Sequence, residues 1–174
     1  MLKYTGTLLF FLVVLLEPVS AQTPYEESKD ANGRTILKGI LSRDALEQEP
    51  SFTWMKNDIS WYKPNADCLR LLPELQDSIH LLVFAGTWCE DSHNVLPQLF
   101  KLLDQAKFPK EKISLLGVDR KKLTLGFLSE SLGITNVPTI LVMKNGKEVG
   151  RVVEYGKYGI YDKELAEILA AAKK

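Results

Sequence analysis

The chain has 174 residues, with 22 basic and 22 acidic side chains, so its formal net charge is zero. Apolar residues make up 45% of the sequence and only two residues are cysteine, which excludes a disordered chain and a small disulfide-held domain. Because the charges balance and no long basic block occurs, nothing in the sequence favours a nucleic-acid partner.

The N-terminus has the pattern of a secretory signal peptide. Lys3 gives a positive start, residues 8–16 form an unbroken apolar run, and Val19-Ser20-Ala21 offers small residues for cleavage. A membrane anchor is the alternative, but spanning a bilayer takes roughly 20 apolar residues. We therefore predict a signal peptide over residues 1–21. The protein would be exported, periplasmic or extracellular, and without a membrane anchor after cleavage.

Two segments follow the predicted signal peptide. Residues 22–33 are polar and rich in turn formers, which predicts a flexible lead-in. Residues 34–79 predict a mostly helical N-terminal extension packed on the rest of the fold. Within this extension the sequence predicts one strand at 34–41 and helices at 43–48, 51–62 and 65–76.

Residues 80–174 predict an α/β domain with a central mixed sheet flanked by helices. The expected elements are strands at 81–85, 113–118, 139–143 and 147–154, a helix from Cys89 interrupted by Pro97, and helices at 123–132 and 162–172. Asn145-Gly146 is a typical two-residue hairpin turn. We expect parallel strands joined by crossover helices, with an antiparallel hairpin at one side.

The chemistry is predicted where the strand at 81–85 ends and the next helix begins. Cys89 at a helix N-terminus faces unpaired backbone N–H groups and the positive end of the helix dipole, which favour a thiolate. Ser92 lies one turn further and is predicted to donate a hydrogen bond to that sulfur. Glu90 and Asp91 oppose thiolate formation, whereas a protonated His93 would help it. The alternative is that Cys89 is a small buried hydrophobe.

The motifs resemble those of the thioredoxin family: Trp88-Cys89-x-x-Ser92, Pro97, Asn136-Val137-Pro138-Thr139 and Lys144-Asn145-Gly146-Lys147. The resemblance runs from about His80 to the C-terminus and implies a thioredoxin-like fold. It also implies that Pro138 is a cis-proline facing the sulfur, and that Trp88, Val137 and Pro138 bind substrate. More narrowly, the chain is similar to exported bacterial thioredoxin-like proteins with a WCxDS motif.

Departures from the family pattern limit the mechanism that the resemblance implies. Ser92 replaces the second cysteine, Val83 replaces the buried carboxylate and Leu115 replaces its partner lysine. Cys89 would therefore form a mixed disulfide that an external thiol, a substrate thiol or Cys68 must release. Cys68 is either a core residue or a distant resolving cysteine, because it shares a helical face with two leucines.

Three functions remain open at this stage. The first is thiol–disulfide exchange through one nucleophilic cysteine, isomerase-like or reductase-like, with protein or small-molecule thiols and disulfides as partners. The second is a non-catalytic thioredoxin-fold module that binds peptides, and the third is a monothiol glutaredoxin-like carrier. We expect no cofactor and no metal, because His80, His93 and the two cysteines fit no zinc-ligand spacing.

Overall fold

The computed structural model describes residues 24–173. The predicted signal peptide at 1–21 lies outside these residues, as do the first two residues of the lead-in. Six strands form one sheet in the order β1-β2-β4-β3-β5-β6. They are β1 (Tyr25–Lys29), β2 (Thr35–Leu41), β3 (Ile79–Ala85), β4 (Ile113–Gly117), β5 (Thr139–Lys144) and β6 (Lys147–Val153).

Five α-helices are present among the described residues, with short 3-10 turns between them. They are α1 (Arg43–Gln48), α2 (Ala66–Leu75), α3 (Glu90–Gln105), α4 (Leu128–Ser131) and α5 (Tyr161–Ala172). The predicted α/β architecture, a mixed sheet flanked by helices, is confirmed. The helix α3 continues through Pro97, so the predicted interruption at this residue is wrong.

The core lies on both faces of the sheet because side chains alternate along each strand. Leu81, Val83 and Ala85 of β3 belong to the larger apolar cluster, which also contains residues of α2, α3 and α5. Phe84 points to the smaller cluster on the opposite face, which also contains Leu116, Val118, Ile134, Val137 and Leu141. The central strand β3 is thus buried on both sides, and its C-terminal end carries the chain directly to Cys89.

One prediction about strand direction is wrong. β3 and β4 are parallel, but β5 runs antiparallel to β3, and β6 then runs antiparallel to β5. The segment between β4 and β5 is also less helical than the predicted helix at 123–132. Gly126 and Phe127, the last two residues of the 3-10 turn Leu125–Phe127, have left-handed φ values of 65° and 57°, so no regular helix runs through them into the four-residue α4.

The N-terminal segments differ from their predicted conformations in two places. The predicted flexible lead-in contains β1, which pairs with β2 from Tyr25 to Lys29. Its side chains are almost all exposed, so the backbone ladder rather than apolar burial holds it. The predicted helix at 51–62 is only a 3-10 turn at Thr53–Lys56, although Phe52 and Trp54 are buried as the apolar spacing suggested.

Candidate functional site

The structure brings Cys89, Val137 and Pro138 together. Cys89 is the N-cap residue of α3 and is half-buried. Its Sγ donates a hydrogen bond to the carbonyl oxygen of Val137 at 3.2 Å, and the Val137–Pro138 peptide bond is cis. The sulfur therefore lies at the junction of β3 and α3, against the segment that leads into β5.

The start of α3 exerts opposing electrostatic effects on this sulfur. The N-terminus of a 16-residue helix favours a negative charge at Cys89. Glu90 and Asp91 occupy the first turn, and the Glu90 side chain is 81% exposed. Burial, together with the charge of Asp91, raises the pKa of Tyr155. Glu90 and Asp91 thus add negative charge directly after Cys89, and their effect on the thiolate stays a prediction.

Trp88 has a fixed orientation beside Cys89. Its indole Nε1 donates to the Val118 carbonyl oxygen at 3.0 Å. A Cβ atom at Gly86 would lie 2.8 Å from Cε2 of the same ring, so the residue at this position must be glycine for the ring to lie where it does. The structure thus places Trp88 next to the sulfur with its ring packed on the backbone of the preceding turn.

Ser92 does not have its predicted partner. Its side chain is fully buried, and Oγ accepts a hydrogen bond from the backbone N–H of Gly86 at 3.2 Å. The hydroxyl points back to the turn after β3, because that turn has a buried N–H to satisfy. Ser92 therefore joins the turn to the first turn of α3 as an acceptor, and among residues 24–173 its hydroxyl makes no hydrogen bond to Cys89.

His93 is more deeply placed than a residue on a helix surface. Its Nε2 lies 2.8 Å from the Thr87 carbonyl oxygen, and since a carbonyl only accepts, Nε2 carries the proton. The ring stacks on Trp54 with centroids 4.5 Å apart. Its Nδ1 lies 3.7 Å from the Glu90 carboxylate. His93 thus joins the Cys89 loop to the N-terminal extension.

Cys68 lies in the core, which contradicts the hypothesis of a distant resolving cysteine. Its side chain is fully buried, and Sγ donates to the Asp162 carbonyl oxygen at 3.1 Å. Burial, followed by the charges of Asp162 and Asp67, raises the pKa of Cys68 to about 12. Cys68 and Cys89 are both free thiols. A neutral, enclosed thiol of this kind is a poor nucleophile.

Four residues that hold the Trp88-Cys89 segment or its neighbours were not singled out from the sequence. Thr87 Oγ1 accepts from the Leu37 N–H at 3.1 Å and donates to the Thr35 carbonyl at 3.0 Å, which ties the loop to β2. The other three are Arg34 and Arg120, which contact Trp88, and Asp30, which bonds both arginines. Thr87 directly precedes Trp88-Cys89, so its place in the sequence could have suggested that it anchors the loop. No local sequence pattern connects the other three residues to Cys89.

Comparison with known proteins gives a family for this arrangement. The thioredoxin family model matches residues 71–167, which is more than half of the chain. The chain is also 33% identical over 78 residues to thioredoxin-1 of Saccharomyces cerevisiae, covering 45% of this chain and 70% of the yeast protein. The chain belongs to the thioredoxin family.

Two solved thioredoxin structures are similar to this chain. Thioredoxin f from spinach chloroplast is 28% identical, with a TM-score of 0.41, over 56% of this chain and 73% of that protein. The thioredoxin of Fasciola hepatica is 22% identical, with a TM-score of 0.40, over 59% of this chain and 88% of that protein. The family assignment itself rests on the family model and on the yeast relative.

The thioredoxin fold of this chain lacks ionisable side chains at two positions beneath the site. Val83 and Leu115, which the resemblance aligns with the family's buried carboxylate and lysine, are register partners in β3 and β4. They are 1% and 5% exposed. An apolar pair at this depth holds no proton that could be exchanged with a second thiol.

Two features are absent from the part of the chain that the structure describes. Between residues 24 and 173, no three or more His, Cys, Asp or Glu side chains are grouped so that they could hold a metal ion. In the same range, no helix has the length and apolar character needed to cross a membrane.

Proposed function

We propose that this thioredoxin-family protein carries out thiol–disulfide exchange through Cys89 as its single nucleophile. The family assignment supports thiol–disulfide oxidoreductase chemistry in general. The observation that carries the finer proposal is the position of Cys89. This half-buried residue caps the start of α3, and its Sγ lies 3.2 Å from the Val137 carbonyl oxygen. A sulfur in this position is both partly accessible and next to a helix N-terminus.

The exchange has two steps. The Cys89 thiolate attacks one sulfur of a substrate disulfide, forming a mixed disulfide while the other substrate sulfur leaves as a thiolate that takes a proton from solvent. A second thiolate then attacks the mixed disulfide and restores the Cys89 thiolate. No net electron transfer occurs if the second thiol belongs to the same substrate, which is isomerisation. If an external thiolate attacks instead, it displaces Cys89 and is left in a mixed disulfide with the substrate. A second external thiolate then releases the substrate as a dithiol and forms the external disulfide, so the substrate gains two electrons and two external thiols lose them.

The second thiol must come from outside the chain. Position 92 is a serine bonded to the Gly86 N–H, and Cys68 is enclosed in the core with a raised pKa. Neither side chain is suited to attack a mixed disulfide at Cys89. The mechanism therefore requires either a substrate thiol or an external reducing thiol, and the mixed disulfide should persist without one.

The surface around the sulfur suits an extended peptide. Among the described residues, the backbone N–H of Val137 has no hydrogen-bond acceptor, and the Cys89 Sγ lies against the carbonyl of the same residue, whose side chain is buried. A substrate main chain can pair with such a free N–H as it would with a strand. These contacts would orient a substrate disulfide toward Cys89.

Export is part of the proposal. Residues 1–21 have the signal-peptide pattern, and an oxidising compartment would supply the disulfides on which Cys89 acts. Expression of the full chain in a secreting host tests this point. A secreted product that begins at Gln22 supports export, and a product that keeps residues 1–21 in the cytoplasm contradicts it.

Reactivation of a scrambled disulfide protein in a glutathione buffer tests the exchange activity. The wild type should accelerate reactivation, the Cys89→Ser variant should fall to the buffer rate, and the Cys68→Ala variant should retain the activity. If Cys89→Ser is as active as the wild type, the exchange proposal is wrong. If no variant is active but peptides still bind, the protein is a non-catalytic binding module.

A further inference from the structure

Three cationic side chains surround Trp88, the residue that precedes the nucleophile. The guanidinium carbon of Arg120 lies 4.9 Å from the centroid of the Trp88 ring, and Lys122 Nζ lies 5.9 Å from it. Arg34 Nη1 donates to the Trp88 carbonyl oxygen at 3.4 Å, one peptide bond from Cys89. Both distances to the ring are within the range of cation–π contacts. We call Arg34, Arg120 and Lys122 the Trp88 cationic cluster.

Asp30 holds two members of this cluster in place. Its carboxylate accepts hydrogen bonds from Arg34 Nε and Arg120 Nε, each at 3.0 Å, and its side chain is only 3% exposed. The hydrogen bonds from Arg120, with those from Arg34 and Asn32, hold the pKa of Asp30 well below its usual range. One buried carboxylate thus fixes two guanidinium groups, and the cluster keeps an excess of positive charge.

The cluster remains open to solvent. The side chains of Arg34 and Arg120 are 40% and 42% exposed, although Asp30 holds both. Each guanidinium has more N–H donors than Asp30 and the Trp88 carbonyl use, because arginine carries five. Free N–H groups on a fixed, exposed guanidinium are well suited to donate hydrogen bonds to a carboxylate.

The other charges near Cys89 are arranged differently. Lys38 lies 3.6 Å from Asp119, so this pair adds no net charge, and Lys121 is exposed next to the cluster. Glu90 and Asp91 follow Cys89 in α3 and carry negative charge. The chain therefore has a positive side at Trp88 and a negative side along the first turn of α3.

We propose, resting on the exchange function above, that the Trp88 cationic cluster selects disulfides with a carboxylate close to the reacting sulfur. Opposite charges within about 10 Å attract one another at ordinary ionic strength, and this attraction raises the rate of encounter. A carboxylate on the substrate would lie against Arg120, Lys122 and the free donors of Arg34 while its sulfur meets Cys89. The same carboxylate on the α3 side would be repelled.

Matched small disulfides of opposite charge test the selection. The probes are dithiodipropionate, which is anionic, cystamine, which is cationic, and neutral 2-hydroxyethyl disulfide. The rate of mixed-disulfide formation at Cys89 is measured for each, and each charged-probe rate is divided by the same protein's rate with the neutral probe. This division removes differences in the intrinsic reactivity of the sulfur between variants.

The variant Arg120→Gln/Lys122→Gln should lower the normalised anionic rate about 3- to 10-fold and raise the cationic rate at low salt. The control Lys107→Gln/Lys110→Gln removes two exposed charges that lie beyond the C-terminal end of α3. That end is roughly 24 Å from Cys89 along the helix axis, so the control should change neither the anionic nor the cationic rate. Lys122→Gln alone leaves the Asp30 bonds intact and should give a smaller change in the same direction. High salt should remove the effect.

Two further outcomes are decisive. If both double variants change the normalised rates equally, or neither changes them, the selection by this cluster is wrong. If Cys89 fails to react even with the neutral disulfide, the exchange function itself is wrong. Oxidised glutathione and a disulfide-linked acidic peptide serve as the final pair of probes: a faster reaction with the peptide assigns the carboxylate to a polypeptide substrate, and the reverse assigns it to a small molecule.

Discussion

Replacing Thr87 by valine tests whether the Cys89 loop is anchored to the N-terminal strand β2. Thr87 is 3% exposed, and its hydroxyl bonds both the Leu37 N–H and the Thr35 carbonyl. β2 pairs with β4 only over Gly39–Leu41, so Leu37 lies beyond this ladder. The Thr87 hydroxyl supplies the acceptor that the Leu37 N–H would otherwise lack. Valine keeps the shape of threonine while removing the hydroxyl.

The expected loss follows from the two buried bonds. Each hydrogen bond contributes about 0.5–1.5 kcal/mol net, and a buried N–H left without an acceptor costs about 1–3 kcal/mol. Because Leu37 is 2% exposed, water does not replace the lost partner. We therefore expect the free energy of unfolding of Thr87→Val to fall by roughly 2–4 kcal/mol relative to the wild type.

Urea unfolding measures this difference. The midpoint should shift without a change in slope, because the same surface is exposed on unfolding. Thr135→Val is the matched control, since Thr135 is exposed, and should change the free energy of unfolding by no more than about 0.5 kcal/mol. Equal values for the two variants would refute the anchoring role of Thr87.

Two further substitutions test the cysteine assignments. In Ser92→Cys, the new thiol lies three residues along α3 from Cys89, a spacing that brings the two side chains to about 5–6 Å. We expect an internal disulfide under oxidising conditions, detected as a loss of two hydrogens by mass spectrometry. Cys68→Ala tests the pKa of about 12 at Cys68. Between pH 9 and that pKa the unfolded thiol ionises while the folded thiol stays protonated, so the wild type should lose about 1.4 kcal/mol more per pH unit than the variant.

For each of these two predictions, one specific result would contradict it. A Ser92→Cys variant that stays fully reduced under the same oxidant would show that position 92 does not face Cys89 as the helix spacing requires. For Cys68, parallel stability curves of wild type and variant above pH 9 would show that its thiol is not enclosed in the folded protein. Tyr62 and Tyr161, whose pKa values are raised chiefly by burial, are present in both proteins, so most of their contribution cancels in this comparison.

The elements that were predicted correctly are those with a strong local signal. The apolar run at 81–85 is long enough to require burial on both faces, and Asn145-Gly146 determines a hairpin by its own turn preference. β1 could not be predicted because its polar side chains are exposed and only backbone pairing holds it. Similarly, Trp54 has helical spacing but stacks on His93 from a short 3-10 turn.

The site was predicted only in part, and for the same reason. Cys89 follows from its position between a buried strand and a helix, which is a local pattern. The bond between Asp30 and Arg120 depends on how the end of β1 meets the loop after β4, because these two residues are 90 positions apart in the sequence. Ser92 shows a different error, because helix spacing gave its distance from Cys89 but not the direction of its hydroxyl, which accepts from the Gly86 N–H.

The fate of a mixed disulfide at Cys89 tests the central claim most directly. The reduced protein is mixed with a peptide disulfide, the excess is removed, and the mass is followed with time. We predict one peptide adduct per chain, attached at Cys89 and stable until an external thiol is added. Spontaneous release of the peptide with formation of a Cys68–Cys89 disulfide, or an adduct at Cys68, would contradict the account.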